Sequence, residues 1–457
     1  MIMNFKRNNF YLSVLFMAVL SMSACKKDSK KEDEEIVDKE QVVLKGQITT
    51  AVKLDASKIY LLSGFVRVMD GASIEIPAGT VIKGEIASNA ALIIERGAKI
   101  TANGTASNPI IFTSARPEGQ RETGDWAGVI ICGKSTVNVA GGEAQYENGA
   151  LGVDVAKYGG SVPADNSGSF SYVRIEYAGY AVQPDKEING LTLCGVGSGT
   201  AVNHVQVSYG GDDSFEFFGG TVNATHLIAY RGVDDDFDFD QGYSGKIQYG
   251  ISIKDPAAAD KIGVSRGIEL ENKGTPANSV YTRPVLSNFT FIGPGAQSNV
   301  LTFHGAGIHY GQNSRMVLAN SIIVNARLAA VEFNTDFPAA ELKAGRSLFT
   351  NNLVFGNAGS YSLNTNVTSF ADLAALTTFL TAQGNVTLNS AAAAGITSLA
   401  LDAPNLLLTS SSPALGKASF TGDLAAGFTA ETFVGAMGTS GNWATGWVNW
   451  TPNVTVY

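Results

Sequence analysis

The feature that most limits how this chain can fold is a pair of strand-like runs that keeps returning. Set "HVQVSYGGDDSFEFFGG" (204–220) over "HLIAYRGVDDDFDFDQG" (226–242). His204 falls on His226, Asp212 on Asp234, Asp213 on Asp235, Phe215 on Phe237 and Phe217 on Phe239, at an offset of 22 residues. A strand that returns after so short an interval is no hairpin neighbour. The chain must travel back to its own start, and parallel pairing requires such a crossover. When the crossover is itself a strand, the product is one coil of a parallel β-helix. Parallel crossovers are right-handed in nearly all cases, which sets the expected hand. A β-propeller is the competing repeat, but its blades need about 40 residues or more of antiparallel strand.

The same two runs recur more loosely elsewhere. One series reads "VIIC" (129–132), "LTLC" (191–194), "FEFF" (215–218), "FDFD" (237–240), "IELE" (268–271), "LTFH" (301–304) and "VEFN" (331–334). The other runs from "VRIEY" (173–177) through "VQVSY", "LIAYR", "ISIKD", "FTFIG" and "IIVNA" to "LVFGN" (353–357). Short apolar runs parted by Gly, Asn or Pro between Phe65 and Ala115 read as the first coils. Composition agrees: charged residues are 16% of the chain, Gly numbers 51 and Pro 13, as suits β-structure with many tight turns. The expectation is an all-β solenoid, a right-handed parallel β-helix over 46–360, with a long loop at 139–168 that breaks the rhythm. Residues 361–457 are expected to form a small mixed C-terminal cap. In it, "SFADLAALTTFLTAQGN" (369–385) has helical period, a Ser start and a Gly stop. The Trp-rich tail is expected to help it cover the open end.

Strand side chains alternate faces, so the apolar first and third positions of the first series must point inward. Phe215, Phe217, Phe237 and Phe239 then form an aromatic stretch of the core. The second and fourth positions face out, in two files. One holds Glu216, Asp238, Glu269 and Thr302; the other holds Cys132, Cys194, Phe218, Asp240, Glu271 and His304. On coils about 4.8 Å apart, Glu216, Asp238, Asp240, Glu269 and Glu271 become one acidic patch with His304 at its edge. The entering turns add Asp212, Asp213, Asp234, Asp235 and Asp236 as further ligand-binding candidates, and Arg266 sits on the next turn. Such a patch repels itself unless cations bind, basic neighbours compensate or some members hold protons. Oxygen-rich clusters suit Ca²⁺, making these five carboxylates its candidate ligands. Exposed acids that keep a solenoid soluble are the plain alternative.

Catalysis needs the same residues. Two carboxylates about 5 to 9 Å apart can act as acid and base in glycoside hydrolysis, and Asp238 with Glu269 is such a pair. Arg266 or His304 would be the base of a lyase. Phe218, Tyr243 and Trp126 are candidates to stack on sugar rings or to floor a groove. His204 and His226 share a register beside Tyr172 and read as a turn stack. Asn203, Asn320 and Asn351 read as an amide ladder one place earlier. Cys132 and Cys194 are neighbours in one file, either bridged or as two free thiols.

The first residues read as an export signal. Lys6 and Arg7 precede the apolar "FYLSVLFMAVL" (10–20), too short to span a bilayer, and "SMSAC" ends on Cys25. Cys25 stands where bacterial lipoprotein signals place the cysteine that is acylated, although Met22 replaces the usual Leu. The expectation is a leader over 1–24, lipidation at Cys25, and a charged flexible tether over 25–45. The tether resembles the segment that routes some Gram-negative lipoproteins to the cell surface. Losing Lys6 and Arg7 leaves 30 basic against 41 acidic residues, a net −11, with no basic patch for nucleic acid.

"DASKIYLLSGFVRVMDGASIEIPAGTVIKG", "GDWAGVIICGK", "SYVRIEYAG", "VSYGGDDSFEFFGGTVNATHLIAYRG" and "SPALGKASF" resemble a family of bacterial secreted β-helix lipoproteins in the pectin-lyase-like fold group. The resemblance covers about residues 46–457. It implies an exported protein of the outer membrane or cell surface, held by a lipid anchor. The family mostly has no assigned activity, and the wider group holds lyases, hydrolases and adhesive scaffolds. Three classes follow: a non-catalytic surface protein binding cations or glycans, a polysaccharide lyase or glycoside hydrolase, and an adhesin for a protein partner.

Overall fold

The computed structural model describes residues 39–457 apart from 87, 184–185 and 273–279, with 181–183 described by backbone alone. The leader, Cys25 and most of the expected tether lie outside the described residues. Every coil contributes to three parallel ladders, which wind as a right-handed β-helix. The first ladder stacks Gly128–Cys132, Leu191–Cys194, Phe215–Phe218, Phe237–Asp240 and Ile268–Leu270. The other two share longer strands such as Ala201–Ser208, Asn223–Tyr230 and Lys246–Ile253. Each of these bends sharply at one residue of positive φ: His204 at 51°, His226 at 59° and Tyr249 at 65°. The same corner is Asn288, Asn320 and Asn351 on later coils. Asn tolerates this left-handed conformation better than most residues. Asn320 and Asn351 therefore belong to the histidine column, and Asn203 alone lies one place earlier.

Coiling starts at Gln41, inside the segment expected to be tether, where Gln41–Ile48 pairs with Ile59–Val68. The interior is the predicted aromatic stack. Phe215 and Phe237 lie 5.1 Å apart and nearly parallel, and Phe217 and Phe239 4.9 Å apart. Gly250 makes room for this core, since a Cβ there would lie 2.0 Å from the Phe289 ring.

The C-terminal end is closed by the helix Leu373–Ala382, started by Asp372 rather than by a serine. Its Leu376 and Leu380 join the interior core. The tail does something else. It leaves the cap and runs back along the outside, where Leu406, Leu408, Val434, Met437 and Trp447 cover the outward side of the second ladder, the one that the long strands form after the corner. It ends beside the early coils: Arg121 donates to the Pro452 carbonyl at 2.6 Å and Lys83 to the Tyr457 carbonyl at 3.0 Å. The outward file it covers is Ile228, Ile251, Thr290, Ile322 and Leu353, apolar at every place but Thr290, where a free surface would hold polar residues. The tail is thus a strap along the side, and the helix alone is the cap.

Candidate cation-binding site

The first ladder brings the expected acids together in part. Glu216 pairs with Asp238, and Asp238 with Glu269. The next rung differs from the expectation. Leu301–His304 lies outside the ladder; Ile308–Tyr310 takes its place, so His309 follows Glu269 and Glu332 follows His309. Phe303, expected inside, is 36% exposed. His304 is buried at a turn, bridged to Ser265. The signal for the right rung was in the sequence: "GIEL" (267–270) and "GIHY" (307–310) share a Gly-Ile-polar-apolar pattern. The long turn at 293–306 hid it.

The outward face of this ladder is covered as well. The 139–168 segment folds back over it, packing Tyr146, Leu151, Val155 and Tyr158 on Ile130, Cys132, Cys194 and Phe218. Phe218 therefore lies beneath Tyr146 and Tyr158 and offers no ring to a sugar. Trp126 and Tyr243 are interior residues, with Tyr243 stacked on Phe239. Cys132 and Cys194 are register partners and both are free, buried thiols. His204 and His226 are the predicted turn stack, 4.2 Å apart, continued by Tyr172 and Tyr249.

The acids divide into four groups. Asp236 points inward to a buried pair with Lys254, 3.1 Å away, and to the Ser252 hydroxyl. It is therefore no surface ligand. Asp240 accepts from the Gln241 amide at 2.6 Å. Glu269 and Asp235 flank Arg266, at 2.7 and 3.6 Å. Burial and neighbouring carboxylates act on the remaining turn acids together. Carboxylate oxygens of Asp212, Asp213 and Asp234 lie within 4.8 Å of one another, and so do those of Asp213, Glu216 and Asp238. Asp213 joins the two trios into one cluster. Burial first and neighbouring carboxylates second push Asp212, Asp213 and Asp235 well above the usual carboxylate range, and Asp234 up to about 6.

Two buried neutral side chains neighbour Glu216. Asn189 donates its amide to Glu216 at 3.2 Å, while its own Oδ1, in a side chain 3% exposed, has no hydrogen-bond partner among the described residues. Thr192, the register partner of Glu216, is also buried with an unpartnered hydroxyl. Buried oxygens of this kind are uncommon unless a water or an ion satisfies them. Clustered carboxylates with amide carbonyls and waters are the ligands that Ca²⁺ takes. The geometry is poor for the lyase roles. Three carboxylates hold Arg266, at 2.7 to 3.7 Å, and raise its pKa, so it keeps its proton. The space it shares with His304 is only about 10 Å³, room for one water rather than a sugar.

Fold and site together define a parallel β-helix protein whose first ladder carries an acidic flank beside the apolar part that its own excursion covers. The chain belongs to the family described as the pectate-lyase-like β-helix domain, whose model matches residues 46–402. No curated protein matches it. A solved structure that it resembles is that of the Dettilon tailspike protein, at 10% identity and a TM-score of 0.24 over 69% of this chain. The match spans 62% of that chain, less than two thirds of its length.

Proposed function

We propose that the protein is a lipid-anchored, non-catalytic binding protein of the cell envelope whose acidic flank holds Ca²⁺. The observation that carries this reading is the cluster around Asp213, joined by the orphan oxygens of Asn189 and Thr192. Like charges held this close oppose folding unless a cation or protons offset them. Differential scanning fluorimetry with and without Ca²⁺ tests it. Ca²⁺ should raise the melting temperature of the wild type and leave Asp213→Asn/Asp238→Asn unmoved. A variant that responds like the wild type refutes the site. The anchor is tested apart, by labelling with a palmitate analogue, where a labelled Cys25→Ala would refute lipidation.

Glycan binding has support at a different place from the acidic flank. Where the tail meets the corner column, His226, Tyr249, Phe433 and Trp443 line an open cleft of about 530 Å³, with Glu431 accepting from the Tyr249 hydroxyl at 2.7 Å. Aromatic faces beside a carboxylate suit sugar rings. A glycan array probed with wild type and Trp443→Ala decides it: ligands kept by the variant would rule the cleft out.

A further inference from the structure

We propose that His309, Glu269 and Glu271 form a second metal site, one for a divalent transition metal, with Glu332 as its positioning residue. Consecutive rungs set Glu269, His309 and Glu332 side by side in register. One ligand atom from each of Glu269, Glu271 and His309 lies within 4.8 Å of the others. Gly311 leaves the gap between them open. A Cβ there would stand 2.9 Å from Glu271 Cγ and 3.0 Å from His309 Nε2, and 2.6 Å from the Leu270 carbonyl.

The imidazole is oriented as a ligand. His309 is 5% exposed, and its short contact, 2.8 Å, runs from Nδ1 to Glu332 Oε1. The Asn334 amide nitrogen, 3.5 Å from Nδ1, is itself a donor and makes no bond to a protonated Nδ1. A carboxylate can only accept there, so Nδ1 carries the proton and Nε2 turns its lone pair toward Glu269 and Glu271. A carboxylate behind a histidine is the usual outer partner of a metal-bound imidazole, fixing tautomer and raising basicity. Arg266 takes Oε1 of Glu269 at 2.7 Å and leaves that carboxylate its other oxygen.

The donor set selects the metal. Imidazole with two carboxylates suits Zn²⁺ and its first-row neighbours, whereas Ca²⁺ and Mg²⁺ prefer oxygen alone. The site uses different residues from the Asp213 cluster and does not depend on it.

The test uses the folded protein with Zn²⁺ alone, and Co²⁺ as a spectroscopic reporter. The wild type should take up one Zn²⁺ per chain in the presence of excess Ca²⁺ and give Co²⁺ visible bands of a nitrogen-ligated ion. His309→Gln should abolish both. Glu332→Gln should weaken Zn²⁺ by roughly 10–100-fold, the usual cost of losing such an outer partner. Asp213→Asn should leave uptake unchanged, which separates this site from the first. If His309→Gln does not fold, Glu271→Gln serves in its place, since that side chain is half-buried. The proposal is overturned if the folded wild type takes up no stoichiometric Zn²⁺, or if uptake survives the ligand substitution.

Discussion

The molecule has two covered outward faces, and they are covered for opposite reasons. On the second ladder, isoleucines and a leucine point away from the β-helix and the C-terminal tail lies over them. On the first ladder, apolar positions give way to carboxylates, and the 139–168 segment roofs the apolar part and reaches the acidic rungs, where Tyr158 donates to Gln241 at 2.7 Å. The first cover hides apolar surface from water, which stabilises by about 25 cal/mol per Å². The second surrounds charge with protein, which costs stability unless something offsets it. A segment that shields apolar surface needs no further explanation. One that ends beside buried carboxylates points to a ligand, and both candidate metal sites lie on the first ladder.

The contrast breaks most sharply at Trp447. This residue is 1% exposed and stands edge-on to the Tyr172 and His204 rings, fastening the tail to the corner column. Trp447→Ala should cost about 4 kcal/mol, the scale for removing a buried tryptophan, and denaturant melts would read it. A loss below about 1 kcal/mol, the ordinary surface range, would mean the tail is not a fastener. Next comes Lys254. Its pair with Asp236 is fully enclosed, at 3% and 0% side-chain exposure. Lys254→Ala should cost about 3 kcal/mol because it strands a buried carboxylate. Adding Asp236→Asn should recover part of that loss, and a double mutant no better than the single would break the pairing argument.

How much of this was written in the sequence differs between inside and outside. The inward stack was legible because period-two alternation leaves Phe237 and Phe239 no other face. The covers were not, because a segment used once has no repeat to place it. A trace existed all the same: Ile228, Ile251 and Ile322 are apolar where a free face would be polar, so something had to lie on them. His309 was missed for a physical reason too. The turn before it is long, and the apolar "LTFH" within that turn imitates a rung. The acids' residue numbers were readable, but their burial was not, since it depends on where the excursion docks.

A smaller effect sharpens the charge side. In chelator, Asp213→Asn or Asp238→Asn should stabilise the protein by roughly 1 kcal/mol, the upper range for relieving like charges across a ladder. The same substitutions should remove the response to Ca²⁺. Destabilisation in chelator would show that these carboxylates make bonds worth more than their repulsion.

The remaining test lies in pH, where the two faces should slope in opposite directions. A carboxyl whose folded pKa is raised keeps a proton that the unfolded chain has lost. Its stabilisation is full below the unfolded value and fades as pH rises through the folded one. For Asp234 that window runs from 3.8 to about 6, and Asp212, Asp213 and Asp235 extend it upward. The histidines under the tail behave conversely. Burial lowers His204 to about 4, and burial with the neighbouring His204 lowers His226 to about 3. A depressed histidine contributes stability above its unfolded value of 6.5, which is lost as pH falls toward the folded one. The windows overlap, so the wild-type melting curve mixes both slopes and the readable quantities are differences. Subtracting the Asp213→Asn curve in chelator should leave a trend falling with pH, and subtracting His226→Phe one rising with it. Because Ca²⁺ competes with protons for the carboxylates, its gain in melting temperature should grow with pH in the wild type and in His226→Phe alike. A gain that is flat with pH would separate Ca²⁺ from the acidic flank, whatever its size.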